Sequence, residues 1–301
     1  MDRELRNDRA GLIYGIGAYS LWGLFPLYWP LLEPASSWEI LAHRMVWSFV
    51  FLLIINIFMR TWSRVRDALA DPRTRLLLLV AAALVSVNWG TYIWAVNNGY
   101  VVESSLGYFI NPLVSVALGV FVLGETLRRL QWIAVGIAAV AVGVLTLSYG
   151  RPPWIALILA FSFGIYGLVR KQAGVQAVPA LTVETGFQAP FALIYFGVLA
   201  ATGTMTFGAS PGNSVMLMTA GIATTIPLLL FGAAAIRLPL VALGLLQYLA
   251  PVLQFVIGIT VFGEHMPLER WLGFVLVWFA LSVFTFDVIR NARRPIAEPP
   301  L

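Results

Sequence analysis

The 301-residue chain contains no cysteine and only two histidines, His43 and His265. Without thiols it has no disulfide, no thiolate metal site, no iron–sulfur cluster and no cysteine nucleophile. Two imidazoles alone do not make the His, Glu or Cys triad of a catalytic zinc centre, and no metal is expected. Charge is equally scarce: Asp, Glu, Lys and Arg make up 11% of the residues, against roughly 25% in soluble proteins. The phosphate loop Gly-x4-Gly-Lys-Ser/Thr, the Gly-x-Ser-x-Gly elbow and the His-Glu-x2-His pair are all missing. ATP-driven pumping by this chain alone is therefore not expected, nor is an enzyme activity, and no cofactor is called for.

Apolar residues fill the space that charge leaves. They account for 60% of the chain, and the mean hydropathy is +0.86, the composition of an integral membrane protein. Stretches of about 20 apolar residues, long enough to span a bilayer, predict ten helices. They fall at about 11–31, 36–59, 74–97, 103–124, 129–148, 152–170, 178–202, 213–236, 240–262 and 268–289. The first has no small-x-small cleavage site after it and reads as a retained span. The loops are short, which leaves no room for a soluble domain.

Charge placement orients the ten spans. With the N-terminus in the cytoplasm, sixteen of the nineteen basic residues fall on that side, including Arg3, Arg6, Arg9, the run Arg60/Arg64/Arg66/Arg73/Arg75, Arg128/Arg129, Arg170/Lys171 and Arg290/Arg293/Arg294. Only Arg151 and Arg270 fall outside, and Arg44 lies within a span. This positive-inside bias predicts both termini in the cytoplasm. The net charge of +5 then reflects topology, and nucleic acid is not an expected partner. The basic 60–75 loop can also attract anionic lipid, although topogenesis alone accounts for it.

The chain repeats itself. Asn111 to Trp132 and Ala250 to Trp271 share the spacing Pro-x6-Gly-x4-Gly-Glu-x6-Trp, with Pro112/Pro251, Gly119/Gly258, Gly124/Gly263, Glu125/Glu264 and Trp132/Trp271 all offset by 139 residues. Pro34-Ala35-x3-Glu39-x3-His43 similarly matches Pro179-Ala180-x3-Glu184-x3-Gln188, and Ala18-x-Ser20 matches Ala160-x-Ser162. The expected architecture is an all-α membrane protein of two five-helix repeats, residues 1–150 and 151–301. The odd number of spans inverts the second repeat, with a pseudo-twofold axis in the membrane plane.

Polar residues inside the spans are the candidates for function, because a polar stripe in lipid must face protein or water. Helix four carries Ser104, Tyr108, Asn111 and Ser115 on one face, and helix nine carries Leu243, Gln247, Ala250 and Gln254 at the equivalent positions. Helix three adds Asn88, Tyr92 and Asn97, with Trp89 and Trp94 nearby. Amides and phenols beside indoles suit a neutral or amphipathic solute; the same groups also serve interhelical hydrogen bonds and interfacial anchoring. Candidate substrate-binding residues are Asn88, Tyr92, Tyr108, Asn111, Gln247 and Tyr248. Pro112 and Pro251 are candidate helix breaks, each removing a backbone donor.

Charged groups inside spans are costlier. Arg44, beside His43, stands about eight residues into helix two, roughly 12 Å along its axis. It would attract an anionic group or link conformations, or else snorkel, with Glu39 as a partial partner. Glu184, the repeat counterpart of Glu39, is a candidate carrier of a coupling proton; capping or packing is the alternative. Arg44, His43 and Glu184 form the charge-handling set. Glu125 and Glu264, at helix ends on opposite faces, are expected to organise loops.

These features resemble the drug/metabolite transporter superfamily in its EamA branch, over almost the entire chain. Further strings are similar to the RarD group, which is named for chloramphenicol sensitivity: Glu39-Ile-Leu-Ala-His43-Arg44, Asn88-Trp-Gly-Thr-Tyr92-Ile-Trp94-Ala-Val-Asn97, Glu103-Ser-Ser-Leu-Gly107-Tyr108-Phe-Ile-Asn111-Pro112-Leu, Tyr166-Gly-Leu-Val-Arg170-Lys171 and Gly244-Leu-Leu-Gln247-Tyr248-Leu-Ala-Pro251. The resemblance implies a multi-pass permease of the bacterial cytoplasmic membrane with a central cavity between its halves. The expected activity is secondary transport of a small organic metabolite or amphipathic drug, in the export direction, with proton coupling or exchange. The expected partners are that solute and the bilayer, with a homodimer left open. The alternative is a non-transporting sensor or lipid-handling protein that docks through the 60–75 loop.

Overall fold

The computed structural model describes residues 2–123, 127–235, 237–238 and 246–292. Among the described residues there is no β-strand. The helices are α1 (Asp2–Gly23), α2 (Phe25–Tyr28, continued by a 3-10 turn at Trp29–Leu32), α3 (Ser37–Met59), α4 (Trp62–Ala70), α5 (Pro72–Asn97) and α6 (Val101–Leu123). They continue as α7 (Arg129–Tyr149), α8 (Trp154–Ala173), α9 (Ala177–Thr202), α10 (Pro211–Ala235), α11 (Leu249–Thr260) and α12 (Leu268–Ala292). Eight are long and apolar enough to cross a bilayer, and the bent pair Arg9–Gly23 and Phe25–Leu32 makes nine. The span expected at about 240–262 is described only from residue 246 onward.

Local chemistry sets the helix ends. Ser36 caps α3, its hydroxyl accepting from the Glu39 N–H at 3.2 Å. Asp71 caps α5, accepting from Thr74 N–H at 2.8 Å, with Pro72 in the first turn where no donor is needed. The Asn98-Gly99 step between α5 and α6 relies on Gly99 at φ 75°, a conformation that costs glycine nothing.

Two expectations change. The first span is not one straight helix: its axis turns by 47° after Gly23. Pro26 and Pro30 supply no backbone N–H there, so the helical ladder cannot run straight through. The 60–75 segment is not a plain loop either. Arg60 closes α3 in the left-handed region at φ 52°, and α4 follows. Its Val65 and Ala68 are buried against Leu78, Ala180 and Val183.

Helix α7 lies along α12; α8 packs on both α5 and α6; α3 is held between α9 and α10; α1 packs on α10 and α11; and α11 crosses α6. Small residues permit the closest approaches. A side chain at Gly258 of α11 would meet Val102 of α6 at 2.7 Å, and one at Gly221 of α10 would meet the Trp47 backbone of α3 at 2.4 Å. Large apolar side chains face outward, with Phe58 83%, Leu147 84% and Leu268 81% exposed. That surface is unfavourable in water and matches a hydrocarbon surround. One core gathers around Trp29, Ile40, Val85, Ile93 and Leu159. A second gathers around Leu106, Leu145, Phe274 and Val277.

Candidate functional site

The polar centre of the bundle is built on α5. Asn88 is 1% exposed, and its amide nitrogen donates to Leu159 O and Ser162 Oγ of α8, both at 3.1 Å. Its Oδ1 accepts from the Tyr108 hydroxyl of α6 at 3.2 Å. Tyr92, one turn beyond Asn88, meets the Tyr108 ring edge-on at 5.6 Å between centroids. Asn88 thus ties three helices together, and it brings Tyr92 and Tyr108 side by side. Tyr108 is only half-buried, so the cluster is not sealed on every side.

Arg44 of α3 belongs to the same neighbourhood, with Tyr28, Tyr92 and Tyr108 within electrostatic reach of its guanidinium. It is 4% exposed. Its Cζ lies 4.0 Å from the ring centre of Trp89, 5.1 Å from that of Trp29 and 5.7 Å from that of Phe25. The bend after Gly23 delivers two of those rings. Glu39 is not its partner: the two residues are five apart, about 140° around the helix. The Glu39 carboxylate instead accepts from the backbone N–H groups of Thr206 and Phe207, at 2.8 and 3.2 Å. Among the described residues Arg44 has no carboxylate partner, and its Nε has no hydrogen-bond acceptor. A buried guanidinium so placed costs several kcal/mol of solvation. Each aromatic face returns about 2 kcal/mol when desolvated, and none satisfies an N–H.

His43 points elsewhere. It is held between Phe196 and Phe207 at 4.4 and 4.8 Å, accepts from Trp47 Nε1 at 3.1 Å, and stands 4.0 Å from Glu39. It belongs to the contact of α3 with the segment after α9, away from the Arg44 cage.

Glu184 of α9 is fully buried. Its Oε2 accepts from the Tyr166 hydroxyl at 3.1 Å, and its Oε1 lies 3.2 Å from Arg170 Nη1. Tyr166 and Arg170 are one turn apart on α8, so a single helix face presents both to the carboxylate. In the sequence alone, topology accounts for Arg170 as one of a basic pair at a span end. The readable signal was the Tyr-x3-Arg spacing. Gln188, one turn from Glu184, binds Ala82 O and Ser86 Oγ of α5 at 3.0 and 2.9 Å.

The other candidates disperse. Asn111 donates to Ala160 O of α8 at 3.0 Å, Ser104 to Tyr100 O of its own helix at 2.8 Å, and Ser115 is exposed. Gln247 and Tyr248 lie in the turn before α11. No hydrogen bond or ring contact joins them to Asn88 or Tyr108 among the described residues. Pro112 sits inside α6, which continues through it, whereas Pro251 sits in the first turn of α11. Leu243 and Glu125 lie outside the described residues.

The end of the bundle carrying Arg151 and Arg270 is closed by carboxylates on helix N-termini. Glu264 accepts from the N–H groups of Val101 and Val102, the latter at 3.1 Å. Glu103 pairs with Arg151 at 2.8 Å and accepts from Ile155 N–H at 3.2 Å. Around them lies a vestibule of about 350 Å³ lined by Glu103, Arg151, Glu264, Arg270, Tyr149 and His265. Glu264 thus organises the helix end, as its position in the repeat led us to expect. Among the described residues no three His, Asp or Glu side chains group to hold a metal.

Comparison with known proteins gives this geometry its context. The EamA-like transporter family matches residues 9–148. Protein RarD of Streptomyces exfoliatus is 55% identical over 293 residues, covering 97% of this chain and 93% of that protein. Protein RarD of Escherichia coli strain K12 is 42% identical over 292 residues, covering 97% and 99%. The chloramphenicol-sensitive protein RarD of Pseudomonas aeruginosa is 30% identical over 299 residues, covering 96% and 98%. A solved structure described only as a crystal structure of protein superposes with a TM-score of 0.59 at 17% identity, over 95% of this chain and 99% of that one, and shares its fold. With membrane-length helices throughout and full-length RarD relatives, the chain belongs to the EamA-like transporter family of the drug/metabolite transporter superfamily.

Proposed function

We propose that this membrane transporter moves a small organic metabolite or amphipathic drug out of the cell by alternating access, with a proton or a second solute as the coupling partner. The observation that carries the reading is the cluster of Asn88, Tyr92, Tyr108 and Arg44, buried in the bundle where α3, α5 and α6 of the first half meet α8 of the second. Asn111, Gln247 and Tyr248 complete the proposed solute path, and Pro112 and Pro251 are its proposed hinges. The two halves are residues 1–150 and 151–301. Their two-fold relation is supported by the packing scheme, since exchanging α1 with α8, α3 with α9, α5 with α10, α6 with α11 and α7 with α12 turns the main helix contacts into one another, and the odd number of spans in each half makes it an inverted one. The chain resides in the bacterial cytoplasmic membrane with its arginine-rich end and both termini inside, a placement supported by the charge asymmetry. A homodimer is compatible with this arrangement.

Glu184 is the proposed proton carrier. It is buried beside Arg170, so loss of its proton makes, and gain of a proton breaks, an ion pair between α8 and α9. The test is reconstitution of the full chain in vesicles, with a broad solute panel assayed by mass spectrometry with and without a pH gradient. At least one solute moves with the wild type and moves several-fold more slowly with Asn88→Ala or Tyr108→Ala. If nothing in the panel moves under either condition, transport by this chain is refuted. Glu184→Gln flattens the pH dependence of that flux, and an unchanged profile removes Glu184 from coupling.

A further inference from the structure

The ionisable groups of the bundle are matched almost completely. Glu39 is held by the Thr206 and Phe207 backbone, Glu103 by Arg151, Glu184 by Arg170 and Tyr166, and Asp287 by Arg128 at 2.6 Å. Each buried carboxylate among the described residues is therefore committed to a partner other than Arg44. Arg44 is the exception: its neighbours are aromatic faces. Three of the buried polar atoms left over on the elements around it can donate. Arg44 Nε, Trp29 Nε1 and the Tyr92 hydroxyl are buried without a hydrogen-bond partner. The first two can only donate, and the third has a proton to give.

A set of orphaned donors around a fixed positive charge specifies what fills it. The missing component brings lone pairs and a negative charge. A cation would be repelled, and a neutral solute would leave the charge uncompensated in a low-dielectric interior. The flat walls of Trp89, Trp29 and Phe25 add a preference for an apolar or aromatic body. Resting on the transport reading above, we infer that the solute class is the organic anion: a carboxylate on an apolar or aromatic body, its oxygens bound in the fork of Arg44. Arginine rather than lysine suits that task, since its planar donors meet a carboxylate two at a time.

The test uses the full chain purified in detergent and one isosteric pair, 2-naphthoate and the uncharged 2-naphthamide, followed by calorimetric titration and thermal melting. The wild type binds naphthoate at least tenfold more tightly than naphthamide. Arg44→Met keeps the naphthamide affinity and loses that preference. It also melts no lower than the wild type without ligand, because it removes a buried charge that nothing in the protein pairs. Arg44→Lys, which keeps the charge, carries the comparison if the methionine variant does not fold, and retains only part of the preference. Equal affinities, or none for either compound, overturn the inference, as does a preference that survives in Arg44→Met. Displacement of naphthoate by equimolar chloride would make this an inorganic-anion site and would equally overturn it. Vesicle flux separates the two levels. A solute moved equally well by the wild type and Arg44→Met leaves transport standing and removes the anion assignment. Naphthoate binding without flux of any solute does the reverse.

Discussion

Glu184 and Arg44 are both ionisable groups buried in an apolar bundle, yet they sit under opposite conditions. Glu184 has Arg170 at 3.2 Å and Tyr166 at 3.1 Å, both from the neighbouring helix. Arg44 has only rings, the nearest at 4.0 Å. The first group has its counter-charge within the protein, although Glu184 Oε1 and Arg170 Nη1 make no hydrogen bond, and its charge balance changes by proton transfer. The second is open, and its balance can be completed only from outside. On the function proposed above, the difference separates coupling, given to Glu184 on α9 with Arg170 on α8, from recognition, given to Arg44 on α3 with Trp89 on α5.

Variants can break this contrast. Glu184→Ala strands Arg170 and should destabilise the protein by about 3 kcal/mol, the cost of breaking a buried pair. Denaturant unfolding in detergent measures it, and Glu184→Gln combined with Arg170→Gln should recover most of the loss. Asn88→Ala takes away the acceptor of the Tyr108 hydroxyl and the donor to Ser162 Oγ, for a loss of about 2 kcal/mol. Tyr108→Phe deletes one bond and should cost about 1 kcal/mol. Arg44→Met, by contrast, should lie within about 1 kcal/mol of the wild type or be more stable, since no counter-charge is abandoned. If Arg44→Met cost as much as Glu184→Ala, the contrast would collapse and Arg44 would be a structural staple.

The last effect concerns pH. Burial raises the Glu264 carboxyl from 4.5 to about 7, outweighing the Val101 and Val102 N–H groups and Arg270, which act in the opposite sense. The folded protein therefore holds that proton over a range in which the unfolded chain has lost it. Stability should fall as pH rises from about 4.5 to about 7 and level off above. Melting temperatures of Glu264→Gln across that window should lack this component of the slope.

Much of this arrangement was legible in the residues. Eight of the ten expected spans, the duplicated Pro-x6-Gly-x4-Gly-Glu unit and the placing of Asn88, Tyr92 and Tyr108 inside spans follow from hydropathy and spacing. Which polar groups meet was not legible. Asn88 and Tyr108 are 20 residues apart on different helices, and helical periodicity assigns a residue to a face without saying which helix lies opposite. The Arg44 cage was missed because hydropathy scores 11–31 as one apolar run. The bend produced by Pro26 and Pro30 carries Phe25 and Trp29 to the guanidinium, and apolar content is blind to a bend. Arg170 was hidden differently: a basic residue at the end of a span is already explained by orientation, so its pairing with Glu184 left no unexplained feature.

Alternating access through the Asn88 cluster is the claim on which the rest depends, and the absence of cysteine from the chain allows a direct measurement without further engineering. Ser162→Cys changes one atom beside Asn88. In oriented membranes, an impermeant maleimide should label that thiol when applied from either face, and a transported solute should protect it from both. Labelling from one face alone, or from neither, under every solute and pH condition would contradict the account.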